Sequence, residues 1–109
     1  MASELLKVAL KPTCSTTETK LIDGVSGHTY TVLSISICET AGAAETFNLY
    51  VDDNDGGTDH YIYHTQALGA NETFVHNDRI VLEATDMLGF VTGSSADVDV
   101  VVSYLDQTL

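Results

Sequence analysis

From Thr29 to Asp52 the chain alternates apolar and polar side chains with a period of two. In the first half Leu33, Ile35 and Ile37 alternate with Ser34, Ser36 and Cys38. In the second, Phe47, Leu49 and Val51 alternate with Thr46, Asn48 and Tyr50. Successive side chains of a strand point to opposite faces, so this is the pattern of two half-buried strands. Between them Ala41-Gly42-Ala43-Ala44 is small, and Gly42 is free to take positive φ. The stretch therefore predicts a tight β-hairpin with its apolar side chains on one face. Such a face must be covered by a second layer.

The remaining segments supply that layer. Leu6, Val8 and Leu10 alternate with Lys7, Ala9 and Lys11, a strand or extended arm that Pro12 is expected to end. A helical turn over Ser3–Leu10 competes, because Leu5, Leu6 and Ala9 would share a helix face. Thr13–Thr19 reads as loop or strand, and Lys20-Leu21-Ile22 as a short strand stopped by Asp23-Gly24. Asp53-Asn54-Asp55-Gly56-Gly57 is a turn, followed by a strand over His60–Thr65. Thr73–His76 and Ile80–Leu82 are short strands, and Met87–Thr92 is another. Val98, Val100, Val102 and Tyr104 alternate in the last. About eight strands, with turn signals every ~8–12 residues, predict an all-β antiparallel sandwich or jelly roll. The domain division is an N-terminal arm or edge strand over residues 1–12 and a β-sandwich over 13–109.

At 109 residues the chain has room for one core, and at 44% hydrophobic it can fill one. No apolar run reaches the ~20 residues of a membrane-spanning helix, and no signal peptide is expected, because Lys7 interrupts the first apolar segment. The net charge is −12, and the basic residues are Lys7, Lys11, Lys20 and Arg79. That balance argues against binding to nucleic acid or to an anionic membrane, both of which need cationic side chains. Three of the four cations fall within the first twenty residues, which leaves a weakly basic arm on a strongly acidic body. Such an arm suits contact with an acidic neighbouring subunit, and it equally suits an edge strand guarded by lysines. Cys14 and Cys38 form no metal motif and are expected to be free thiols, as in a reducing cytoplasm.

Four constellations offer chemistry. Asp52, Asp53, Asp55 and Asp59 around Gly56-Gly57 are the calcium-ligand candidates, since calcium takes several oxygens at once. The EF-hand pattern fails, because Val51 and Ile62 stand where its first Asp and bidentate Glu belong, and the plain reading is a solvated turn. His60 and His64 would share a helix face, but on a strand they lie ~13 Å apart, too far for one zinc ion. Tyr30, Tyr50, Tyr61, Tyr63 and Tyr104 suggest either a sugar-binding face or ordinary packing on half-buried strands. Asn71-Glu72-Thr73 is formally a glycosylation sequon that matters only in a secreted chain. No nucleophile elbow, P-loop, dinucleotide fingerprint or H-E-x-x-H occurs, so neither catalysis nor a cofactor is expected.

The run Thr29–Val51, the Asn71-Glu72-Thr73 turn, the segment Leu82-Glu83-Ala84-Thr85-Asp86 and the valine-rich strand Val98–Tyr104 together resemble small β-sandwich virion proteins of tailed bacteriophages. The resemblance covers roughly Lys20 to Tyr104 and is one of strands and turns. It implies a virion protein assembled in the host cytoplasm, most simply a capsid decoration (cement) protein that stabilises the shell. Its implied partner is the major capsid protein or another virion protein, and its implied state is a homotrimer. The alternatives are a head–tail, tail or fibre component, or a carbohydrate-binding receptor-recognition domain. For a docking protein the residues expected to meet the partner are Leu5, Leu6, Lys7, Val8, Leu10 and Lys11, acting as an added strand.

Overall fold

The structure is a computed structural model that describes residues 3–108. Two antiparallel sheets pack face to face, and no helix occurs among the described residues. The strands are β1 (Ser3–Cys14), β2 (Thr19–Asp23), β3 (His28–Glu39), β4 (Glu45–Asp52), β5 (Asp59–Leu68), β6 (Thr73–His76), β7 (Ile80–Glu83), β8 (Met87–Thr92) and β9 (Val98–Thr108). The larger sheet runs β1-β9-β3, and β3 is flanked end to end by β6 and β7. The smaller runs β2-β8-β4-β5. The expected sandwich is the fold that forms.

The inward positions carry the core. β9 supplies Val98, Val100 and Val102, and β3 supplies Tyr30, Val32, Ile35 and Ile37. Phe47, Leu49, Leu88 and Phe90 face them from the smaller sheet, with the Phe47 and Phe90 rings stacked 5.4 Å apart. Each such side chain, fully covered, contributes about 1.5–3 kcal/mol.

Three sequence expectations change. The first concerns the hairpin, because β3 and β4 do not pair. β3 lies in the larger sheet between β9 and β6/β7, whereas β4 lies in the smaller sheet between β8 and β5. The Ala41–Ala44 loop crosses from one sheet to the other, and Gly42 there has φ 80°. Alternation shows which side chains share a face, and it says nothing about which strand lies alongside.

The second concerns Leu33. A register shift between Val32 and Ser34 against β9 moves the inward set from even to odd numbers, so Val32 is buried and Leu33 is turned out. The third concerns Pro12. The strand continues through it to Cys14, with a register shift between Lys11 and Cys14 and Thr13 at φ 50°. A bulge on an edge strand tolerates the missing N–H. Over Ser3–Lys11 the strand lies in unbroken register along β9, so the helical turn does not form.

Candidate docking surface

Registers define the outer face of the larger sheet. Leu6, Leu105, Thr31 and Val81 form one cross-strand row. Val8, Ser103 and Ser34 form the next, with Leu33 beside them at the bulge. Leu10, Val101, Ser36 and Val75 form the third. Charged strand residues appear only beyond these rows, with Glu4 and Glu83 at one end and Asp99 at the other. In a chain of net charge −12, three adjacent rows therefore hold only aliphatic and small hydroxyl side chains. Leu6 is 77% exposed, Leu10 65%, Val81 57% and Val75 52%. Scattered exposed apolar residues are ordinary, but a contiguous apolar sheet face is the mark of an interaction surface.

Of the predicted partner-binding residues, the structure brings Leu6, Val8 and Leu10 onto this face. Leu5, Lys7 and Lys11 belong to the opposite set, which pairs with the inward positions of β9. Lys7 and Lys11, together with Lys20 of β2, line a cleft of about 500 Å³ where the two sheets part. There the Lys7 Nζ donates to Oδ2 of buried Asp106 at 2.8 Å, and His28 Nδ1 lies 2.7 Å from Oδ1. The Lys7 bond first, and the His28 contact second, hold the Asp106 carboxyl below its ordinary range. Lys20 reaches Asp55 at 2.9 Å. Two of these three lysines are thus occupied within the chain.

Sequence reasoning missed Leu33, Val75, Val81, Val101 and Leu105 as members of the face. The signal was present in Val100-Val101-Val102, where an apolar residue stands on both faces of one strand. Such a strand is expected to be covered on both sides.

A second cluster sits at the end of the sandwich where the chain changes sheets. Buried Glu39 accepts the backbone N–H groups of Ala41, Gly42, Ala43 and Asn71. The Asn71 N–H leads in keeping it ionised to lower pH than usual. Burial pushes Glu45 up, but the Thr46 and Ser95 N–H groups and the Ser94 hydroxyl outweigh that and hold it low. Asp97 is buried beside both, and its Oδ1 has no hydrogen-bond partner. Burial first, and the Glu45 carboxylate second, push it up to about 6.

The calcium candidates do not converge. Asp52 is buried and accepts the Gly56 N–H at 3.1 Å, Asp55 pairs with Lys20, and Asp53 and Asp59 are exposed. Among the described residues no three His, Cys, Asp or Glu side chains are placed to hold a metal ion. His28 and His76 serve Asp106 and the Tyr63 hydroxyl respectively, while His60 and His64 are exposed. Of the tyrosines, Tyr30 and Tyr104 line the cleft beside Lys7, and the others do not join them. Tyr30 and Tyr50 are buried, Tyr63 packs edge-on against Phe47, and Tyr61 is half exposed. Cys14 and Cys38 are both free thiols.

No protein-family model matches the chain, and no curated protein matches it. Solved structures do. One is a chain of the T13 particle of infectious bursal disease virus, with a TM-score of 0.53 at 12% identity over 97% of this chain. This chain spans only 31% of that one, so the likeness is to a part of it. A Bacillus endospore appendage, from a family of disulfide-linked pili, gives 0.49 at 13% identity, covering 100% of this chain and 88% of that one. A chain from the capsid of Helicobacter pylori bacteriophage KHP30 gives 0.45 at 16% identity, covering 100% and 94%. At these identities the first likeness speaks for the fold, and the other two are looser still.

Proposed function

We propose that this protein is a virion structural component that acts by docking rather than by catalysis, as a decoration protein on a capsid shell. The observation that carries the reading is the uncharged aliphatic outer face of the larger sheet. Every residue of it is presented by a strand, so it is rigid before it meets a partner. A preformed surface loses little conformational entropy on binding, which favours a static structural contact. Full cover of each exposed leucine or valine there contributes about 1.5–3 kcal/mol. The fold likeness to part of a chain from a virus particle supports the same reading, as does the resemblance to phage virion proteins. The partner is the major capsid protein or another shell protein with a matching apolar patch. The acidic remainder of the surface keeps the rest of the molecule apart from its neighbours.

The test is co-sedimentation with shells assembled from the major capsid protein of the same source. Val75→Glu with Val81→Glu places two charges on the face, far from β1 and at exposed positions that leave the core intact. The wild-type chain is expected to pellet with shells, and the folded double variant to stay in the supernatant. Equal pelleting of the two would remove the outer face from the contact and the reading with it.

A further inference from the structure

The molecule has four sheet edges, and three of them are interrupted. β6 and β7 divide one edge of the larger sheet into two strands of four residues each. β2 is five residues long with a register shift. β5 is broken by two register shifts against β4 and by Thr65 at φ 52°. These are the usual devices that keep edges from pairing with other chains. β1 is neither short nor broken over Ser3–Lys11, where its register along β9 runs without a break; of its two guarding lysines, Lys7 is taken up by Asp106. Among the described residues nothing pairs with its far side, and its Leu5, Leu6, Val8 and Leu10 are each more than half exposed. A long regular edge of this kind is a template for strand addition.

We propose that the occupant is a second copy of this chain, joined through antiparallel pairing of β1 with β1 about a two-fold axis at Val8. Two arguments select it. The first is charge. Two bodies of net charge −12 repel over most of their surface. β1 carries Lys7 and Lys11 against the lone Glu4, so it is the strand along which two copies approach at least cost. The second is register. With the axis at Val8 the outer face sets Val8 against Val8 and Leu6 against Leu10 on either side. On the other face Lys7 meets Ala9 and Lys11 meets Leu5. An axis at Lys7 would set Lys7 against itself, and one at Ala9 would set Lys7 against Lys11, both like-charge pairs that destabilise a sheet. A two-fold contact must be self-complementary, and the sequence of β1 is so about Val8.

The pairing makes the two larger sheets continuous and joins their outer faces into one apolar platform. It extends the docking reading, since the partner shell would meet two copies of the face at once. It differs from the three-fold assembly that the phage resemblance implies, and mass separates the two.

The experiment uses the full chain. Sedimentation equilibrium should give the mass of two chains, tighter at about 0.5 M salt than at low salt, because screening weakens the repulsion. Val8→Cys in a Cys38→Ser background should cross-link to a dimer on mild oxidation. Leu6→Cys alone and Leu10→Cys alone should not, while an equal mixture of those two should. Leu6→Glu with Leu10→Glu should weaken the dimer at least about tenfold, with the strand signal in circular dichroism unchanged. A folded wild-type chain that stays monomeric or trimeric, or a Val8→Cys chain that does not cross-link, overturns the proposal. Shell binding is scored separately. A monomer that pellets with shells would sink the two-fold and leave the docking reading standing, and a dimer that fails to pellet would do the reverse.

Discussion

Asp97 shows how much one side chain can govern. Its carboxyl titrates near pH 6 in the folded chain, well above the ordinary value of 3.8, because it is buried beside Glu45. A raised acid binds its proton more tightly when folded, so it adds stability as pH falls below about 6 and loses it as pH rises through 6. Glu39, Glu45 and Asp106 act in the opposite sense, since each is held below its ordinary value and weakens the fold once protonated. The melting temperature is therefore expected to peak near pH 5, to fall as pH rises through 6 and to level off above about pH 7. Asp97→Asn should flatten the alkaline side of that curve while leaving the acid side in place. An unchanged slope between pH 5 and 8 would show that another group sets it. Gly89 is a second single-residue constraint. A Cβ there would lie 2.5 Å from the Tyr50 ring, which is buried over it with its hydroxyl bonded to Glu18. Gly89→Ala should cost about 1–3 kcal/mol in urea unfolding, as overpacking does. Neither residue could be singled out from sequence, because the partners of each come from strands distant along the chain.

At the level of strands, periodicity was a good guide to side-chain faces and a poor one to neighbours. Val98, Val100 and Val102 point inward as their alternation predicts. Ile35 and Ile37 do so as well, but Leu33 does not, since the bulge beside it leaves no trace in composition. The β3–β4 hairpin failed for a different reason. Its small loop suits a tight turn, yet Glu39 at the end of β3 gathers the loop N–H groups and redirects the chain to the other sheet. A Glu before a small-residue loop can be seen in sequence, but its burial cannot. The apolar outer face lay half hidden for the same cause. Leu6, Val8 and Leu10 are adjacent in sequence and were recognised, whereas Val75, Val81 and Val101 join them only through pairing with β3 and β9. β1 is also structural. Removing residues 3–11 strips β9 of one of its two partner strands over Val100–Thr108 and releases Asp106 from Lys7. The truncated chain is expected to unfold at lower urea and to aggregate, as seen by light scattering.

The whole molecule is closed by its first and last strands. Ser3 pairs with Thr108, and their hydroxyls lie 2.6 Å apart. Because Ser3 and Thr108 are adjacent, the chain can be joined there and opened elsewhere. Joining the ends through a short flexible linker and opening the chain in the exposed Asp53–Gly57 turn should give a folded permutant, checked by its circular dichroism and cooperative unfolding. Apart from the turn's own bonds, a cut there puts at risk the Lys20 bridge to Asp55, the Asn54 N–H bond to Asp86 and the Thr85 hydroxyl bond to Asn54, all of them outside the core.

The same closure has a consequence during synthesis. β1 precedes its partner β9 by the seven strands between them, so it waits for all of them to be made before it is sheltered. At roughly 5–20 residues per second that wait is on the order of 5–20 s, with Leu5, Leu6, Val8 and Leu10 unprotected throughout. On polysomes, where many nascent chains lie side by side, an apolar strand left open that long is a natural client for a chaperone.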